Sequence, residues 1–139
     1  MKTRELWGTV VVMVGLGPAF LLGDQAEDTF KSVFGPDLQR VTQTRETDDD
    51  VDLAQRLLKS AGQASNEPRL VVLLLENAYT LGMKHPSGFE TAQQAALRLR
   101  ELPESADAAL EKLLAVRVRQ VNMASGVKRG EMAEELAVL

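Results

Sequence analysis

Residues 70–75 read Leu-Val-Val-Leu-Leu-Leu, and Ala78-Tyr79 and Leu81-Gly82 follow within two turns. A helix so apolar around its circumference has to be covered on most sides. That requirement constrains the chain more than any other feature, because it demands helices before and after the segment to supply the cover. Only Arg69, Glu76, Asn77, Thr80 and Lys84 interrupt the run, and at helical spacing they fall roughly into one stripe. Pro68 suits the first turn, where its missing N–H costs nothing. Gly82 and Lys84-His85-Pro86 mark the end, since the residue before a proline is driven out of the helical region. Ser87-Gly88-Phe89-Glu90 has the pattern of a capping box. Ala92, Ala95, Ala96, Leu99 and Leu102 then line one side of a second helix, with alanines small enough for the two axes to approach closely. The segment 68–102 is read as a hairpin of antiparallel helices, because their joint is only about four residues long.

The flanking chain supplies the cover. Thr47 is the expected N-cap of a helix whose Asp48, Asp49 and Asp50 sit over the positive end of its dipole. That helix presents Val51, Ala54, Leu57, Leu58 and Ala61 at intervals of three and four. After Leu102-Pro103-Glu104-Ser105, a long helix to about residue 124 offers Ala109, Leu110, Leu113, Leu114, Val118 and Val121 to the core. Ser125-Gly126 reads as a stop. A last amphipathic helix carries Met132, Ala133, Leu136 and Leu139. Upstream, 25–34 reads as a short helix with Phe30, Val33 and Phe34, ended by Gly35-Pro36, with room for another turn over Asp37 to Val41 and a polar linker from Val41 to Thr47. The fold expected is all-α, a small bundle of antiparallel helical hairpins after an apolar N-terminal segment. Its divisions are 1–23, a signal peptide or membrane anchor; 24–47, an acidic linker with a short helix; and 48–139, the helical domain.

The N-terminus bears on location. Lys2 and Arg4 precede an uncharged run from Leu6 to Gly23, and Asp24, Glu27 and Asp28 follow it. Basic start, apolar middle and polar exit is the order of an export signal. At 18 residues the run is also near the length of a membrane span. Gly8, Gly15, Gly17 and Pro18 weaken it as a spanning helix. In either reading the positive-inside rule puts residue 24 onward outside the cytoplasm. The expected location is the cell envelope, exported or anchored, with membrane contact through residues 6–23 if the leader is kept. Leu21-Leu22-Gly23 resembles the start of a lipobox, but Asp24 stands where that motif needs cysteine, and the chain has no cysteine at all.

Two consecutive hairpins of about 35 residues resemble helical-repeat architecture. Over residues 74–103 the chain resembles the tetratricopeptide-type hairpins of bacterial envelope proteins, with Tyr79, Gly82, Ala92, Ala96 and Pro103 as residues of the kinds that repeat uses. They do not all fall in one register of it. The resemblance implies protein binding on a curved helical face.

Chemistry finds little to work with. Asp48, Asp50 and Asp52 have the first ligand spacings of a calcium loop, but Leu53 and Lys59 stand where that loop needs glycine and glutamate. His85, the only histidine, precedes Ser87 by two residues, but a hydrolase needs an orienting acid as well. Glu76 and Asn77 lie on the apolar helix without a second converging carboxylate. Arg98, Arg100, Arg117, Arg119, Lys128 and Arg129 are offset by neighbouring acids, and the net charge is −4, a poor match to nucleic acid. No phosphate-cradling glycine motif is present. The expected function is a non-enzymatic interaction module without cofactor or metal. Its partner is another envelope protein or its own copy, and its contact residues are Glu90, Gln93, Gln94, Arg98, Met132 and Leu136. The alternatives are a small envelope enzyme using His85, Glu76 or the Asp48–Asp52 cluster, and a self-associating membrane-tethered structural protein.

Overall fold

The computed structural model describes residues 18–124 and 126–138, with side chains described over 25–124, 131 and 133–138. Residues 1–17 and the side chains of Met132 and Leu139 lie outside them. Among the described residues six α-helices follow one another: α1 Pro18–Gln43, α2 Thr47–Gln63, α3 Pro68–Gly82, α4 Phe89–Arg100, α5 Ala106–Met123 and α6 Gly126–Val138. A 3-10 turn, Pro86–Gly88, joins α3 to α4. Among the described residues there is no strand. Each helix packs on the next, and α1 also packs on α3 and α2 on α4. The chain is therefore a staggered stack of hairpins.

The apolar helix α3 is wrapped by α1, α2 and α4. Its Leu74, Leu75 and Ala78 meet Leu53, Ala54 and Leu57 of α2 and Ala95 and Leu99 of α4 in one core, all at or below 1% exposure. Val71, Val72 and Leu73 remain half-buried, so the cover is incomplete near the start of the helix. The alanines of α4 do what their size suggests. At the α3–α4 corner the backbones nearly touch: a Cβ placed on Gly82 would lie 2.7 Å from the Gly88 carbonyl oxygen and 2.9 Å from the Ala92 nitrogen. A Cβ on Gly88 would lie 2.9 Å from the Gly82 Cα. Glycine is needed at both positions for lack of space.

Four local expectations are corrected. Helix α1 does not stop at Gly35-Pro36 but runs to Gln43. Pro36 removes the bond to the Ser32 carbonyl, which costs about 3 kcal/mol in a helix interior. Both residues are exposed, so water can serve that carbonyl. Against this cost stands a single buried stripe, Ala26, Phe30, Phe34 and Val41, that crosses the proline without losing register. Each large member contributes about 2 kcal/mol when buried. Val33 points outward at 59% exposure, and of residues 24–47 only 44–46 lie outside a helix.

The second correction is at the helix starts. Neither Thr47 nor Ser87 caps a helix: the N-caps are Glu46 and Gly88, neither with a side-chain cap bond. Ser87 lies inside the 3-10 turn, where its backbone N–H donates to His85 Nδ1 at 3.3 Å and its hydroxyl is 2.7 Å from the same nitrogen. The imidazole has taken the capping role, and Glu90 is left exposed on α4.

The third concerns α5, which buries Ala109, Leu113 and Val116 rather than Leu110, Leu114 and Val118, while Val121 is half-buried. Both sets have helical spacing, and α4 covers only one of them. The fourth is on α2, where Leu53 and Asp50 join the buried side and Leu58 is only half-buried.

Gly62 of α2 supplies a clean measurement. A Cβ there meets only the end of the Arg98 side chain, at 3.6 Å, an ordinary contact, and alanine is favoured over glycine in a helix by about 1 kcal/mol. Gly62→Ala is expected to raise the urea-unfolding free energy by up to that amount, with an unchanged dependence on denaturant.

Candidate functional site

Apart from Arg69, which is exposed, the polar residues that interrupt the apolar run are used internally. Asn77 donates to the Leu73 carbonyl at 2.8 Å, and Thr80 to the Glu76 carbonyl at 2.9 Å. Glu76 pairs with Lys112 of α5 at 3.3 Å, not with Arg69 or Lys84. Lys84 reaches Asp50 at 2.9 Å. Asp50 is buried, so this pair joins the start of α2 to the end of α3 at a place where removing the cation would strand a carboxylate. Asp48 and Asp52 are exposed. Asp50 is thus drawn into an ion pair. Among the described residues no group of three or more acids or histidines is placed to hold a metal.

A second seam ties α5 to α3. The Lys112 ammonium sits 5.2 Å from the centre of the Tyr79 ring, close enough for a cation–π contact. The Tyr79 hydroxyl lies 3.5 Å from the Lys112 carbonyl, at the outer limit for a hydrogen bond. Arg119 donates to the Met83 carbonyl at 3.0 Å.

Burial pushes the Tyr79 phenol above its ordinary value of 10.0; Arg119 opposes that shift and Glu76 adds to it. The folded state therefore favours the neutral phenol. This contribution to stability is fully present below pH 10 and is lost as pH rises through the folded-state pKa. Tyr79 is the only tyrosine, so phenolate absorbance reports it alone. Its midpoint is expected above 10 in the folded chain and back near 10 in denaturant.

The contact residues expected from the sequence divide between different parts of the fold. Glu90, Gln94 and Arg98, one turn apart on α4, line a groove of about 350 Å³ with Gln55, Leu58 and Lys59 of α2. Gln94 donates to Glu90 at 3.4 Å, and Arg98 donates to the Leu58 carbonyl at 2.9 Å. Arg98 thereby ties α4 to α2 as well as lining the groove. Gln93 faces the other way and accepts from Gln120 of α5 at 3.3 Å. Leu136 is half-buried on α6, which packs on α5 and is pinned there by Arg117–Glu135 at 3.3 Å. His85 and Ser87 make a two-residue contact, and among the described residues no carboxylate bonds to the imidazole.

No protein-family model, curated protein or solved structure matches the chain.

The surface that sequence reasoning missed lies on α5. Leu110, Leu114 and Val118 are spaced by four residues and expose 47%, 40% and 45% of their area. They form one apolar stripe along the helix, and Leu97 of the adjoining α4 exposes a further 36%. A signal was available: apolar residues occupy more than one face of α5, more than a single neighbouring helix can cover. Charged neighbours rim the stripe, with Asp107 and Glu111 exposed on α5.

Proposed function

We propose that the chain is a non-enzymatic helical module, exported or held at a membrane, that binds another protein through α5. The observation that carries this reading is the uncovered stripe Leu110–Leu114–Val118, an apolar surface on a helix whose other side is already packed. Contiguous exposed apolar residues framed by charge are the usual mark of a protein-binding surface. The stacked hairpins and the resemblance of residues 74–103 to tetratricopeptide-type hairpins support the same reading. The leader, with its basic start and uncharged run, supports the envelope as the place where binding occurs.

The test is a photo-reactive side chain placed at Leu114 of the full chain in its own cells, with one at Thr42, exposed on α1, as the control. A discrete cross-linked product is expected from position 114 and none from position 42. A doubled chain mass would identify the partner as a second copy. No product at 114, with full expression and normal helix content, would remove α5 as the binding face.

A further inference from the structure

We propose that the end of the bundle built from the first turn of α3 and the α4–α5 turn is its membrane-facing surface, seated in the lipid headgroup layer. This rests on the reading that the leader is kept as an anchor. Helix α1 runs antiparallel to α2, since Asp37 pairs with Arg56 at 2.7 Å while Phe30 and Phe34 share a groove with Ser60 and Ala64. Its N-terminal half consequently lies at the end where α3 begins. Glu27 closes a groove of about 580 Å³ there with Pro68, Arg69, Val72, Leu102 and Pro103.

Three observations converge on this end. First, α1 begins at Pro18, inside the uncharged run, so residues 18–23 belong to the run and to the helix at once. No loop separates the run from the bundle. The last uncharged residue, Gly23, is four positions before Glu27, which is about 6 Å along a helix. The polar layer on each side of a bilayer core is about 5–8 Å thick. A span ending at Gly23 would accordingly set Glu27 and its groove in that layer.

Second, this end combines apolar and charged groups, with Glu67, Arg69, Glu101 and Glu104 exposed beside its prolines. This end carries the half-buried Val71, Val72, Leu73 and Leu102 and the exposed Pro68 and Pro103. The other end presents Thr44, Arg45, Glu46, Lys84 and Ser87, all exposed. Third, a second groove of about 290 Å³ opens on the far side of the α3 first turn and shares Pro68 and Leu102 with the first. Pro68 and Leu102 thus stand between two hollows whose linings mix apolar side chains with charged ones. The charged rim, Glu27, Arg69 and Glu104, carries both signs and suits the zwitterionic, hydrated headgroup layer better than the hydrocarbon beneath it.

The absence of cysteine makes the experiment direct. Single substitutions Pro103→Cys and Arg45→Cys, both at exposed sites, each carry one fluorophore on the full chain reconstituted in phosphatidylcholine vesicles. A quencher attached to the lipid headgroup is expected to dim the label at 103 several-fold more than the label at 45, with the order reversed for a water-soluble quencher. Equal quenching at the two positions on chain that floats with the vesicles would overturn this orientation and leave the anchor standing. Chain that does not float with them, or that is recovered from cells without its leader, would overturn the anchor and the orientation together.

Discussion

Gly82→Ala is expected to destabilise the domain by about 2 kcal/mol, although alanine is the better helix former. The new methyl would sit 2.7 Å from the Gly88 carbonyl oxygen, 2.9 Å from the Ala92 nitrogen and 3.1 Å from the Ala92 Cβ. Two of these obstacles are backbone atoms, so no rotamer change clears them. Helix α4 would have to move away from α3, and Ala92, Ala95 and Ala96, none of them exposed, would lose contact together. Overpacking of this kind costs about 3 kcal/mol at the upper end of its usual range, and the gain in helix propensity offsets about 1 kcal/mol. Gly62→Ala is the matched control: the same chemical change in a helix, with only the flexible end of Arg98 nearby at 3.6 Å instead of a backbone, and the opposite sign. Urea unfolding of the two variants decides the matter. A neutral or stabilised Gly82→Ala would mean that α3 and α4 are not in close backbone contact.

The contrast between these two glycines shows what was legible in the chain and what was not. Helix type and order were legible, because long periodic segments separated by Pro, Gly and Ser leave few alternatives. The central position of α3 and the close packing of α4 followed from an unusually apolar run and from alanines at helical spacing. Pro36 misled because a local rule was overridden by tertiary packing: Phe30, Phe34 and Val41 are worth more together than one helix bond. The Ser87 capping box misled because His85 could make the same kind of bond sooner. On α5 the period identified two apolar sets without saying which one had a neighbour, since a helix's own sequence does not contain the position of the helix beside it. The same limit applies to the candidate contact residues. Glu90, Gln94 and Arg98 recur every four residues and so share a groove, but Gln93, one residue off that spacing, turns toward α5. Val116 was overlooked because it lies between the Leu113–Leu114 pair and Val118, in a segment with more apolar residues than one face can hold.

Leu99→Ala is expected to have the largest effect, a loss of about 4 kcal/mol. Leu99 is completely buried near the end of α4 and shares its core with Leu75, Ala78 and Ala95. Removing a buried leucine beyond Cβ forfeits the transfer free energy of three carbons, about 2.5 kcal/mol, and leaves a cavity that adds to the cost. Collapse into that cavity is hindered here. The neighbouring alanines have no reach, and α4 is held at its other end by the Gly82–Gly88 contact and toward α2 by Arg98 on the Leu58 carbonyl at 2.9 Å. Leu97→Ala, two residues away at 36% exposure, removes the same atoms from a site facing outward and is expected to cost less than about 1 kcal/mol. Thermal melts of the pair should separate by roughly 10 °C or more. Similar losses at 97 and 99 would place α4 in a different rotation about its axis, with the α4 alanines no longer facing α3 and the α5 stripe no longer the surface left uncovered.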